Sequence, residues 1–177
     1  MDNKKMKIYL IGLPSSGKTT LGKQLAEALQ SDFIDMDELI EKQEQKTIAN
    51  IFSEKGEDYF RKVEQATLSK LINSKSYTEV ISTGGGVPCF FDNMEKMNKG
   101  GMTIYLKVGA KELVKRLTGT GTASRPLLKG KKSEELEEEI SNKLKQRDQF
   151  YSQAKHILDG DSLHVNDLIN LVKYVVD

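Results

Sequence analysis

The chain has 177 residues, enough for one domain with a sizeable core and too few for two ordinary ones. With 37% hydrophobic and 30% charged residues it has the balance of a globular protein, and a formal net charge of +1 gives no global field for nucleic acid or a membrane surface. One cysteine, Cys89, makes neither a disulfide framework nor a cysteine-based metal centre, and it reads as a packed or exposed thiol rather than a reactive one.

The start, Met1-Asp2-Asn3-Lys4-Lys5, is polar, and the apolar run behind it is too short for a signal sequence. No stretch has membrane-spanning length, so a cytoplasmic protein is expected. The first strand candidate is Lys7-Ile8-Tyr9-Leu10-Ile11. It runs into Gly12-Leu13-Pro14-Ser15-Ser16-Gly17-Lys18-Thr19, a complete G-x-x-x-x-G-K-[ST] loop. Leu21, Leu25, Ala28 and Leu29 then recur at helical spacing. A strand, this loop and a helix form the context in which backbone N–H groups cradle phosphates. Lys18 can reach the β- and γ-phosphates, and the Thr19 hydroxyl suits Mg²⁺. The chain is therefore expected to bind a nucleoside triphosphate.

The second strand candidate, Phe33-Ile34, leads to Asp35-Met36-Asp37. On a strand or its extension, residues i and i+2 project to one side, so both carboxylates would face the phosphate loop. One could support a metal shell and the other accept a proton; the alternative is that they cap a helix beginning near Glu38. Residues 38–75 read as a helical excursion, with Ile48, Ile51, Phe52, Phe60, Val63, Leu68 and Leu71 at helical spacing. Within it Glu57 and Arg61 form an i, i+4 pair, which by spacing alone is a solvated surface pair.

The third strand candidate, Val80-Ile81, ends in Ser82-Thr83-Gly84-Gly85-Gly86-Val87-Pro88. A turn needs one glycine and rarely three, so this stretch reads as bare backbone open to close ligand approach. Thr103-Ile104-Tyr105-Leu106 is the fourth strand candidate. Residues 117–135, rich in Gly, Thr, Ser and Lys around Arg125-Pro126, have the composition of a lid. Arg147 prolongs the stripe Leu136, Ile140, Leu144 and precedes Tyr151 by four residues; it either snorkels or points into a cleft. His156-Ile157-Leu158 is the last strand candidate, and Val165, Leu168, Ile169, Val172 and Val176 make a final apolar helix stripe. Alternating strands and helices predict a parallel sheet with helices on both faces and ligands at the carboxyl ends of the strands.

These motifs together resemble the shikimate kinase family, in family order, from about residue 7 to 160. The carriers are the phosphate loop, Phe33-Ile34-Asp35-Met36-Asp37, Ile48-Ala49-Asn50-Ile51-Phe52 with Gly56-Glu57 and Phe60-Arg61, and Ser82-Thr83-Gly84-Gly85-Gly86. Arg125-Pro126-Leu127-Leu128 and Arg147 with Tyr151 complete the set. The resemblance implies a single P-loop kinase domain over 1–177, with a three-layer α/β fold and a five-stranded parallel sheet of order 2-3-1-4-5. A helical substrate-binding excursion and a lid belong to it. It implies ATP-dependent phosphorylation of the shikimate 3-hydroxyl, on the way to chorismate and aromatic amino acids, with ATP and Mg²⁺ and by a monomer.

By position, Ser15, Ser16, Gly17, Lys18, Thr19 and Thr20 would hold ATP, with Arg116 and Arg125 joining them. Thr19 and Asp35 would serve the metal. Asp37 would bind the substrate hydroxyls and act as base, beside catalytic Lys18 and Arg125. Arg61 and Arg147 would clamp the carboxylate, and Gly84, Gly85, Gly86, Phe52 and Glu64 would line the ring. The stretch from Arg116 to Ser124 is longer than the family usually has before Arg-Pro-Leu-Leu, and a second adenine contact is expected around Asp161 to His164. A gluconate or nucleotide kinase of the same fold would not need the carboxylate clamp. A GTPase would carry Asn-Lys-x-Asp after a strand, whereas Asn98-Lys99-Gly100-Gly101 here lacks the aspartate and precedes a strand. A nucleotide-sensing module would lack a base and a clamp.

Overall fold

The computed structural model describes residues 6–74, 78–119 and 133–176. Arg125 and the centre of the expected lid, residues 120–132, lie outside the described residues. The ends of that expected lid are helical: Leu117–Gly119 closes one helix and Ser133–Glu135 opens the next.

Five strands form one sheet: β1 (Lys7–Ile11), β2 (Asp32–Asp35), β3 (Glu79–Ser82), β4 (Gly101–Lys107) and β5 (His156–Asp159). All four pairings are parallel and the order is β2-β3-β1-β4-β5. The central strands are apolar on both sides because both faces are covered. Alternate residues go to opposite layers. Ile8, Leu10, Ile104 and Leu106 pack with Leu25 of α1 (Lys18–Ala28) and Leu168 and Val172 of α7 (Val165–Val176). Tyr9, Ile11, Ile81 and Tyr105 face the other layer. That layer comes from the C-terminal half of α3 (Ile48–Asn73), α4 (Asn93–Gly100), α5 (Ala110–Gly119) and α6 (Ser133–Tyr151).

The excursion consists of α2 (Met36–Glu44) and α3. Gly56, at φ 78 and ψ 172, breaks α3 into two segments. The N-terminal segment, the first turns after the break and α2 share a separate small core of Ile40, Ile51 and Phe60, with Phe52 packed against it. This satellite core holds Phe52 and Arg61 over the carboxyl ends of β2 and β3. At the opposite end of the sheet, the buried Lys7 ammonium pairs with Glu79 and Ser74, far from the loops that follow the strands.

Candidate active site

The phosphate loop connects β1 to α1 as its sequence dictates. Gly17 caps α1 with φ 100, and no side chain caps the helix. The first turn of α1 also carries no acidic residue, so no side chain of that turn or cap competes with an anion for its first N–H groups. Lys18 lies folded inside the loop, its Nζ donating to the Gly12 and Leu13 carbonyls at 2.9 Å each. Burial lowers its pKa to about 8, against the pull of Asp37 and Asp35. The Ser16 hydroxyl is buried and meets no protein partner. A cleft of about 670 Å³ runs from Pro14, Ser15, Gly17, Lys18, Thr19 and Thr20 past Asp35, Asp37 and Gly85 to Arg116 and Leu163. A second cavity of about 780 Å³ lies among Tyr105, Leu144, Asp148 and Ile157, and no residue of the phosphate loop lines it.

The Asp35–Asp37 pair does not project from one strand as expected. β2 ends at Asp35, whose Oδ1 accepts from the Asp37 backbone N–H at 3.0 Å and caps α2. Asp37 sits in the first turn of that helix. A carboxylate at this junction satisfies an orphan helix N–H, and that stabilises the turn over further strand. The capping alternative therefore holds for Asp35, yet both groups still reach the cleft. Thr19 Oγ1 donates to Asp35 Oδ2 at 2.8 Å, which couples the phosphate loop to β2. Burial, reinforced by Asp35, raises the Asp37 carboxyl above the ordinary aspartate range, and Lys18 opposes this.

The three glycines after β3 each make room for a different functional side chain. A Cβ on Gly84 would stand 2.7 Å from Asp37 Oδ1 and 2.9 Å from Glu64 Oε1. On Gly85 it would meet Arg147 Nη1 at 3.0 Å, and on Gly86 it would meet Arg61 Nη1 at 2.2 Å. The stretch is a seat for two carboxylates and two guanidinium groups, and no side chain fits there without displacing them.

Arg61 is 11% exposed, so the solvated reading fails, although its pair with Glu57 is real. Glu57 Oε1 accepts from Nε at 3.1 Å and Nη2 at 2.8 Å, and Glu64 Oε2 accepts from Nη1 at 2.6 Å. The Phe90 ring lies 4.2 Å from the guanidinium carbon, with Phe60 at 5.3 Å and Phe52 at 5.8 Å. No sequence spacing links Phe90 to Arg61; only the fold brings it there. Glu64 is buried, which raises its carboxyl against the opposing pull of Arg61. Arg147 Nη1 donates to the Gly85 carbonyl at 2.9 Å, so this arginine points into the cleft instead of snorkelling outward.

Arg116, on α5, donates from Nη2 to the Gly160 and Asp161 carbonyls at 2.8 and 3.2 Å, and Glu112 holds its Nε at 2.9 Å. It spans the gap between the phosphate loop and the loop after β5, at one end of the cleft. Asp161 Oδ1 accepts from the Gly109 N–H at 2.9 Å and is committed to holding that loop; Leu163 lines the cleft instead. Burial raises the Cys89 thiol to about 11, so it stays protonated and unreactive. Among the described residues no group of three or more His, Cys, Asp or Glu could hold a metal unaided, and no helix is long and apolar enough to cross a membrane.

A phosphate loop at a helix N-terminus, a half-buried carboxylate opposite its lysine and a paired-arginine seat define a P-loop kinase acting on a small anionic acceptor. The comparisons with known proteins agree. The shikimate kinase family model matches residues 14–175. The shikimate kinase of Parabacteroides distasonis is 41% identical over 96% of this chain and 99% of its own. The crystal structure of the Bacteroides thetaiotaomicron shikimate kinase superposes with a TM-score of 0.87 at 39% identity, covering 97% of this chain and 98% of the other. The Acinetobacter baumannii shikimate kinase, solved in complex with shikimate, gives 0.82 at 32% identity over 98% and 94%. The chain belongs to the shikimate kinase family.

Proposed function

We propose that this chain, as a single kinase domain, transfers the γ-phosphoryl group of ATP to the 3-hydroxyl of shikimate. The products are shikimate 3-phosphate and ADP, and the step serves chorismate and aromatic amino acid synthesis. The observation that carries the reading is the convergence of Arg61 and Arg147 on Gly85-Gly86, next to Asp37 at Gly84. Shikimate carries one carboxylate and three ring hydroxyls. A guanidinium fork matches the carboxylate, and a half-buried aspartate is an acceptor for the hydroxyls.

In this mechanism the carboxylate docks on Arg61 and Arg147, the ring lies along the glycines with Phe52 and Glu64 behind it, and Asp37 accepts the proton of the attacking hydroxyl. Burial raises the basicity of Asp37, which suits a general base. Ser15, Ser16, Gly17, Lys18, Thr19 and Thr20 wrap the phosphates. Lys18 leaves the Gly12 and Leu13 carbonyls for the γ-phosphate, and Arg116 borders the adenine. Arg125 would join them from the lid. The Thr19 hydroxyl and Asp35 carboxylate are hard oxygen donors already side by side, and they fit Mg²⁺, which keeps most of its shell for water and phosphate. When bound, the ion would neutralise phosphate charge. The enzyme acts on a small molecule, without nucleic acid or membrane, as a cytoplasmic monomer.

A coupled ADP-release assay with shikimate, quinate, gluconate and nucleoside monophosphates tests the assignment. Shikimate should give the highest kcat/KM by a wide margin. A higher value for gluconate or a nucleotide would overturn it.

A further inference from the structure

We propose that Tyr151 is a positioning residue for substrate binding: its hydroxyl locks Arg147 onto the Gly85 carbonyl and so fixes the direction of the carboxylate clamp. This rests on the reading of Arg147 as one half of that clamp.

Arg147 and Tyr151 stand four residues apart on α6, on one face of the helix. The Tyr151 hydroxyl donates to the Gly85 carbonyl at 2.5 Å. Arg147 Nη1 donates to the same carbonyl at 2.9 Å and lies 3.3 Å from the Tyr151 oxygen, to which it also donates. The three groups close a triangle: a phenol that donates once and accepts once, a carbonyl that accepts twice, and one guanidinium nitrogen. Nη1 is tied into the triangle, and among the described residues Nε and Nη2 remain as donors for an incoming carboxylate.

The triangle is rigid because its corner is. Tyr151 is fully buried, and its ring packs on Tyr105 at 5.0 Å between centroids. Burial raises its phenol well above the ordinary value, so the hydroxyl remains a neutral donor across the working pH range. Gly85 leaves no freedom either, since any Cβ there would press on Nη1. An exposed arginine would have to surrender side-chain freedom on binding; this one has surrendered most of it beforehand, which is how preorganisation raises affinity.

The experiment is a double-mutant cycle, Tyr151→Phe against Arg147→Lys, with KM and kcat measured for both substrates. Phenylalanine keeps the ring packed on Tyr105, and the Gly85 carbonyl keeps Arg147 as a donor, so no buried acceptor is orphaned and the fold should survive. Tyr151→Phe should raise KM for shikimate by about three- to tenfold, the scale of one lost neutral hydrogen bond. KM for ATP and kcat should stay within about twofold, and in the Arg147→Lys background the effect should largely vanish. Tyr105→Phe, which removes the hydroxyl of the packing partner, should leave all constants unchanged. An unaltered shikimate KM in Tyr151→Phe would overturn the inference. So would an equal rise for ATP, or an undiminished effect beside Arg147→Lys. If Arg147→Lys itself leaves the shikimate KM untouched, the clamp reading fails first.

Discussion

Asp37 and Lys18 face each other across the cleft, and burial pushes both toward their neutral forms. For Asp37 this makes a better base. Asp37→Asn removes the acceptor while keeping the shape, and kcat with shikimate should fall by about 10² or more with the melting temperature nearly unchanged. In the wild type the acid limb of kcat/KM should lie above the ordinary aspartate range, because the carboxylate is lost as pH falls through a raised pKa. Near-normal turnover in the Asn variant would take the base role from Asp37. For Lys18 the sign is opposite. In the free protein its charge is present below about pH 8 and lost above it. In the proposed mechanism ATP requires the charged form, so above that pH nucleotide binding should take up a proton. ATP affinity should then fall by about fivefold between pH 8 and 9 and approach about tenfold per pH unit above that, read by calorimetric titration at each pH. A flat affinity profile would mean that Lys18 is already charged throughout.

The glycine stretch after β3 behaves as one element, a bare backbone seat, and its claim is steric. Gly86→Ala puts a Cβ on the Arg61 guanidinium, which Glu57, Glu64 and Phe90 hold on other sides. The arginine has to give way, and KM for shikimate should rise by about tenfold or more, the scale of a lost charged hydrogen bond, while KM for ATP stays put. Steady-state kinetics decides it: an unchanged shikimate KM in Gly86→Ala would contradict the seat.

This element also shows what a sequence can and cannot carry. The phosphate loop is legible because eight contiguous residues fix its backbone and the adjoining strand and helix confirm it. Three successive glycines signal a bare surface, but not which side chains rest on it. Arg61 reads as solvated because helix spacing reveals only carboxylate neighbours, Glu57 at i−4 and Glu64 at i+3; burial comes from Gly86 and Phe90, more than twenty residues on. Tyr151 is visible as the i+4 neighbour of Arg147, while its carbonyl partner is 66 residues away. Asp35-Met36-Asp37 fits both a strand end and a helix start, and the capping bond, a local energy that alternation does not encode, decides for the helix.

At the scale of the whole molecule, the parallel sheet sets nucleotide and acceptor sites side by side at the carboxyl ends of β1, β2 and β3. In the proposed mechanism the two sites meet along the strip from Lys18 through Asp37 to Gly85, which lines one cleft. Damage at the far end of either should therefore stay local. The central claim is that Arg61 and Arg147 hold a substrate carboxylate at a place separate from the triphosphate, and parallel calorimetric titrations of wild type and Arg61→Lys with shikimate and with ATP test it most directly. Lysine keeps the charge and loses the planar fork, so shikimate affinity should fall by about tenfold or more while ATP affinity stays within about twofold. Equal losses for both ligands, or no loss for shikimate, would contradict the account.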